Sequence, residues 1–286
     1  MYDFPVSLQQ FQRLSFIHNG DKVMTPKYRK LSKQIFNLIT PVMLSVTPVT
    51  IFAAECFAKS GATTVPLLEL YTSEGCSSCP PADKWLSGLK PDAHKVIPLA
   101  FHVDYWDYIG WKDKFSKAEY SERQRKTASF AGAGFVYTPQ FVLSGRDFKG
   151  ADVSRLNQAI SDSQKLASRA NLSLDAMTQA NGEITLKATA QAVNLDNVKN
   201  ADIFVAIYEN KLVSQVNAGE NNGRELKHDY VVRDFFGAFQ LSNKNEFVKN
   251  ITLKPEWKLR NAGAVIFVQD SRNGEILQSL QLPFCS

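Results

Sequence analysis

Tyr71-Thr72-Ser73-Glu74-Gly75-Cys76-Ser77-Ser78-Cys79 joins an apolar run to two cysteines separated by two residues. Upstream, Pro66-Leu67-Leu68-Glu69-Leu70-Tyr71 reads as a buried strand, with Thr72 to Gly75 as the turn that ends it. Downstream, Ala82, Trp85, Leu86 and Leu89 recur at i, i+3, i+4 and i+7, one apolar helix face. A residue before proline avoids the α region, so Pro80-Pro81 predicts a regular helix only from about Pro81. Val96 to Val103 is almost wholly apolar, as a central strand covered on both faces should be. After DYWDYIGWKDKF (104–115), Ser116-Lys117-Ala118-Glu119 reads as a capping box. It opens a polar helix to about Phe130, whose charged stretch KAEYSERQRK is predicted to face solvent. Thr138 to Leu143 predicts a strand, Ser144-Gly145 a turn, and a second short strand follows. Asp152 caps a last helix carrying Val153, Leu156 and Ile160 on one face.

From about Asn171 the pattern changes to short alternating segments parted by Asn/Gly turns. NLSLDAM, GEITLKATAQA, ADIFVAIYE, HDYVVRDFFGAF, NEFVKNITL, AGAVIFVQD and GEILQSLQL predict seven strands of an all-β sandwich. The earlier order is strand, CxxC, helix, strand, helix, Thr-Pro strand, hairpin and helix, which is that of the thioredoxin fold. The predicted architecture is therefore an α/β thioredoxin-like domain (65–169) followed by an all-β sandwich-like domain (170–286).

The 286 residues are 44% hydrophobic and 21% charged, which excludes a disordered chain. The net charge is +5, of which the first 58 residues carry about +3 (six basic, three acidic). The remainder offers no basic field for nucleic acid. Lys27 to Lys33 is basic, Ile35 to Ala54 is free of charge, and CFAKSGATT follows. Residues 1–58 thus read as an export signal cut after Ala58, or as an uncleaved N-terminal anchor, with 1–23 an over-long start. Either way the bulk of the protein is expected outside the cytoplasm, periplasmic or secreted, where disulfides are permitted. Membrane contact is expected only if the segment is uncleaved.

Cys76 and Cys79 are the close pair among four cysteines, and no second CxxC or HxxxH completes a zinc knuckle. A sulfur at a helix start faces free backbone N–H groups and the positive end of the dipole, which supplies thiolate at neutral pH. Two intervening residues let both sulfurs point the same way. Pro139, if cis, exposes the backbone of Thr138 to an extended peptide or glutathione. Cys285 is either a bare tail thiol or an intermolecular or resolving partner.

The segment Tyr71 to Cys79 resembles the strand-to-CxxC segment of glutaredoxins. Thr138-Pro139-Gln140-Phe141-Val142, Gly145, Gly150 and Asp152 resemble their cis-Pro strand and Gly-Asp turn. Residues 65–169, with FHVDYWDYIGWKDKF, look closely like exported bacterial thioredoxin-like proteins of the domain-of-unknown-function 1223 family, as does GENNGRELKHDYVVR (219–233). The resemblance implies Cys76 as attacking thiol, Cys79 as resolving thiol, Pro139 as the cis-Pro, and Thr138, Gly150 and Asp152 as ligand contacts. It implies no resident cofactor, with protein thiols or glutathione as partner or co-substrate.

Other residues carry paired readings. Glu69 is either a proton relay to Cys79 or a strand-edge carboxylate. His102 is either a core histidine or, with Cys76 and Cys79, a Cu(I) ligand. Asp104, Tyr105, Trp106, Asp107 and Trp111 either line a substrate cleft above the cysteines or pack as a lid. His228, Asp229 and Arg233 read as a structural polar network. The function these readings favour is an exported thiol–disulfide oxidoreductase. Its rivals are a copper(I)-binding protein and a non-catalytic binding module with a static disulfide.

Overall fold

The computed structural model describes residues 54–89, 92–149, 152–179 and 181–285. Fourteen strands and three α-helices follow one another in this span. They are β1 (Ala54–Lys59), β2 (Leu67–Thr72), α1 (Pro80–Gly88), β3 (Ile97–His102), α2 (Ala118–Phe130), β4 (Gln140–Leu143), β5 (Arg146–Asp147) and α3 (Val153–Ser163). Then come β6 (Ala170–Thr178), β7 (Glu183–Ala192), β8 (Ala201–Glu209), β9 (Leu212–Gln215), β10 (Glu225–His228), β11 (Val231–Gln240), β12 (Lys244–Thr252), β13 (Ala262–Asp270) and β14 (Ile276–Pro283).

The expected α/β thioredoxin-like domain followed by an all-β sandwich is not what forms; the fold is mostly β-sheet. One mixed sheet of eight strands runs β14-β13-β8-β11-β3-β2-β4-β5, drawing four strands from each side of residue 170. Its seam is β11 beside β3, where Val231 lies opposite Ala100 and the Ala100 N–H donates to the Tyr230 carbonyl at 2.8 Å. A second, antiparallel sheet runs β1-β6-β7-β12, and β9-β10 is a separate hairpin. All seven segments predicted after Asn171 are strands, but they divide between the two larger sheets.

Three apolar layers hold this together. The small sheet alternates buried and open positions, and Leu172, Leu174, Ile184 and Leu186 pack against Ile203, Val205, Ile266 and Val268 of the large one. In β2, Leu68 and Leu70 pack with Ala82 and Leu86 of α1 and Leu156 of α3. Leu67 and Tyr71, of opposite parity in the same strand, pack instead with Phe101, Tyr120 of α2, Phe204 and Phe267. Among the described residues no helix is long and apolar enough to cross a membrane.

Residues 1–53 of the proposed signal lie outside the described residues, but 54–58 do not. They form most of β1, paired with β6 from Ala54 opposite Thr178 to Lys59 opposite Ser173. Cys56 is bonded to Cys285, with Cα atoms 5.9 Å apart. Cys285 is therefore neither a bare tail thiol nor an intermolecular one. A cut after Ala58 would remove both the strand and the bond, because Cys56 is one of the two sulfurs.

Other corrections are local. Helix α1 begins at Pro80, with Cys79 as its N-cap already in the α region. The capping box is not made: Lys117 is the N-cap of α2 without a side-chain bond, and the Ser116 hydroxyl donates to Asp107 at 2.9 Å. Nor is α2 a solvated helix, since Tyr120, Ser121, Arg123, Gln124, Thr127 and Ala128 are buried. Asp152 does cap α3, accepting from Ser154 N–H at 2.7 Å.

Candidate functional site

Strand β2 ends where the cysteine loop begins. The loop turns tightly: Cys76 N–H donates to the Ser73 carbonyl and Cys79 N–H to the Cys76 carbonyl, each at 3.2 Å. The cysteines are bonded to each other, with Cα atoms 5.4 Å apart. Proline at the first helical position suits this junction, because its missing N–H has no acceptor there anyway. Antiparallel pairing of β2 with β4, Tyr71 opposite Gln140, brings Pro139 to the same end of the sheet as the loop. The Thr138–Pro139 peptide is cis.

Neither sulfur is open to solvent: Cys76 is 1% and Cys79 0% exposed. Two segments account for this. Asn221 Nδ2 donates to the carbonyls of Glu74 (2.8 Å) and Cys76 (3.0 Å), while Glu220 accepts from Ser77 N–H at 2.9 Å. Hence the turn around Gly219–Asn222 is pinned across the loop. The second segment is the aromatic stretch after β3. A Cβ on Gly75 would come within 3.1 Å of Trp106 Cβ, so the absent side chain is what lets the two backbones approach. Trp106 Nε1 donates to Thr138 Oγ1 at 2.7 Å, Tyr105 OH to Gln124 at 3.1 Å and Trp111 Nε1 to Glu74 at 2.8 Å. These are the contacts of a packed lid.

Glu69 is not beside the cysteines. Strand parity puts it with Leu67 and Tyr71, on the face opposite α1, where its Oε1 accepts from Arg123 Nε at 2.7 Å. It is fully buried and offers no proton route to Cys79. Gly150 lies outside the described residues, and Asp152 is engaged in capping α3. Nor do Cys76, Cys79 and His102 form a metal set. The sulfurs are bonded together, and His102 Nδ1 lies 2.6 Å from Asp113 Oδ2.

Under the cysteine loop sits a buried polar cluster whose members sequence reasoning did not bring together. His102 ends β3 on the α1 face, Asp83 is in the first turn of α1, and His228 ends β10. All three are buried, and their donor atoms lie within 4.8 Å of one another, near enough to share an ion. His228 is 3.5 Å from Asp83 through Nδ1 and 3.5 Å from Glu74 through Nε2. Burial alone would lower the His228 pKa, but hydrogen bonds and charge from Asp83 and Glu74 outweigh it and lift it to about 10. Burial likewise works to raise the Asp113 carboxyl, and the His102 imidazole beside it brings it below its usual value. Thr72 donates to Asp83 Oδ2 at 2.9 Å. Arg233, also in the 219–233 block, pairs with Glu209 at 2.9 Å, and Asp229 accepts from Lys211 N–H, so both are structural.

A family model described as a protein of unknown function, DUF1223, matches residues 67–269. The chain is a DUF1223 protein. The match takes in the cysteine loop, the cluster beneath it and the seam between β11 and β3. No curated protein matches this DUF1223 sequence. Two solved structures share its fold. One is an X-ray structure of a protein from Agrobacterium tumefaciens, at TM-score 0.58 and 24% identity, covering 78% of this chain and 96% of that one. The other is HBP35 of Porphyromonas gingivalis, at TM-score 0.60 and 15% identity, covering 79% and 76%.

Proposed function

We propose that this DUF1223 protein is an exported thiol–disulfide exchange protein whose reactive pair, Cys76 and Cys79, works only when its cover lifts. The observation that carries the reading is the bonded pair just before α1, with Cys79 as its N-cap, where a helix N-terminus stabilises a leaving thiolate. In the exchange, an incoming thiolate attacks Cys76 Sγ, the Cys76–Cys79 bond breaks and Cys79 leaves as thiolate. A second thiol then attacks the mixed disulfide, giving reduced Cys76 and an oxidised partner. Protein thiols or glutathione are the partners this requires. Export is supported by the basic-then-apolar N-terminal sequence and by two disulfides in one chain.

The cover is part of the reading. Asn221 and Glu220 must release the loop before a thiolate reaches Cys76. Removing the Asn221 bonds, at about 1 kcal/mol each, raises the open population roughly tenfold or more. The test is native-state reduction by glutathione with thiol trapping and mass spectrometry. The expected result is reduction of Cys76–Cys79 at a rate about tenfold higher in Asn221→Ala; in Cys79→Ala, oxidised glutathione should convert the free Cys76 thiol to a mixed disulfide with release of one reduced glutathione.

The exposures of 1% and 0% favour a second reading, a static structural disulfide. In that case reduction occurs only at the rate of global unfolding, in wild type and Asn221→Ala alike, and exchange is rejected.

A further inference from the structure

We propose that Asp83, His102 and His228 form a binding site for a divalent transition-metal ion of the zinc class, separate from the cysteine pair. The three donors are two imidazoles and a carboxylate, the set that suits Zn²⁺ and its first-row neighbours. Two features make this more than a cluster of polar groups.

The first is unused bonding capacity. His102 is 0% and His228 2% exposed, yet His102 Nε2 has no hydrogen-bond partner, and the ring nitrogens of His228 meet only carboxylates at a long 3.5 Å. Buried polar atoms are nearly always satisfied, so an orphaned imidazole nitrogen needs an explanation. His102 supplies a specific one. With Nδ1 held by Asp113 at 2.6 Å, a neutral imidazole that keeps its proton there leaves the buried Nε2 lone pair free for a ligand. A proton on Nε2 would have nothing to bond to. His228 follows the same plan, with Glu74 behind Nε2 and Asp83 before Nδ1. Each imidazole is thus backed by a carboxylate, and Asp83 is itself steadied by Thr72 at 2.9 Å. This is the outer support that metal-ligating histidines characteristically have.

The second is charge. Glu74, Asp83 and Asp113 are all buried, and among the described residues none of them pairs with a lysine or arginine. A protonated His228 balances only one of these three charges, and a dication between the histidines, displacing that proton, offsets more of the cost. Zinc–ligand bonds of about 2.0–2.1 Å set tetrahedral donors about 3.4 Å apart. Donors within 4.8 Å of one another close on such an ion by side-chain rotation. Three protein ligands leave the fourth position free. A cavity of about 480 Å³, lined by Pro80, Asp83, Lys84, Leu226, His228 and Asp229 among others, opens beside two of them and gives the ion its way in.

The site needs neither sulfur, so its test is independent of thiol exchange. The full chain with its disulfides intact is stripped with chelator and titrated with Zn²⁺ by calorimetry, and with Co²⁺ as a spectroscopic probe. The expected result is one equivalent bound, visible d–d bands of a nitrogen/oxygen-ligated Co²⁺ site, and no sulfur-to-metal charge-transfer band. His102→Gln and His228→Gln should weaken binding at least about 100-fold, and Asp113→Asn about 10- to 100-fold. Cys76→Ser/Cys79→Ser should bind as wild type does. Circular dichroism checks each variant; should the histidine variants not fold, Asp113→Asn and the wild-type Co²⁺ spectrum decide. Failure of the wild type to bind a stoichiometric ion overturns the proposal, leaving a protonated His228 between Glu74 and Asp83. So does binding that persists in the variants, or that vanishes with the cysteines.

Discussion

Arg123 is a guanidinium set into the middle of an aromatic core. Its Cζ lies 5.0–5.5 Å from the ring centroids of Phe101, Phe204, Phe235 and Phe267, and among the described residues Glu69 is its one carboxylate partner. Breaking a buried pair from one side leaves an uncompensated charge, which costs about 3–5 kcal/mol. Glu69→Ala should therefore lower unfolding free energy by that order in urea titrations, while the native reduction rate of Cys76–Cys79 at the same fractional stability stays unchanged. A proton relay would show the reverse. That Glu69 is buried was legible from the run Pro66 to Tyr71, but which face of β2 receives α1 was not, and that decides whether Glu69 meets a sulfur or an arginine. His102 was legible as a core histidine or ligand. Its partners Asp83, Asp113 and His228 were not, because chain positions 83, 102, 113 and 228 meet only through tertiary packing.

At the scale of elements, turns fix how strands close on one another. Gly145 joins β4 to β5 at φ +80°, and a Cβ there would collide with the Gly274 carbonyl in the turn between β13 and β14. Gly145→Ala should therefore cost about 2–3 kcal/mol, more than the strain of the backbone conformation alone. Gly132→Ala is the control, at φ +68° with open space around its Cβ position. It should cost only about 1 kcal/mol in the same denaturation assay. Helices α1 and α3 were visible as apolar periodicity, and α2 only as a polar run after Ser116. The capping box expected for α2 does not form because Ser116 lies within reach of Asp107, and a hydroxyl bonds to whichever carboxylate the fold presents. The turn across the cysteine loop lay inside the block 219–233, yet nothing in its composition says that Asn221 would be spent on the carbonyls of Glu74 and Cys76.

Over the whole molecule, alternation told which segments after Asn171 are strands but not which strands they would join. The near-continuous burial of β8 and β13 marks strands covered on both faces, and the in-out pattern of β6 and β7 marks a sheet with one open face. The parallel step from β3 to β11 has no local signature, and it turns two expected domains into one sheet. The Cys56–Cys285 bond spans 229 residues of sequence. Closing so long a loop removes much denatured-state entropy, and Cys285→Ser should cost about 2–5 kcal/mol in chemical unfolding with Cys76–Cys79 kept oxidised. Cys56→Ser should match it, and the double variant should add nothing further.

That bond also sets the path of mechanical force. Tension applied to the chain outside the two sulfurs passes directly from residue 56 to residue 285, and the strands and helices between them carry none of it. The span between the two sulfurs would stay folded under such a pull while the bond is intact and yield only after a reductant cuts it.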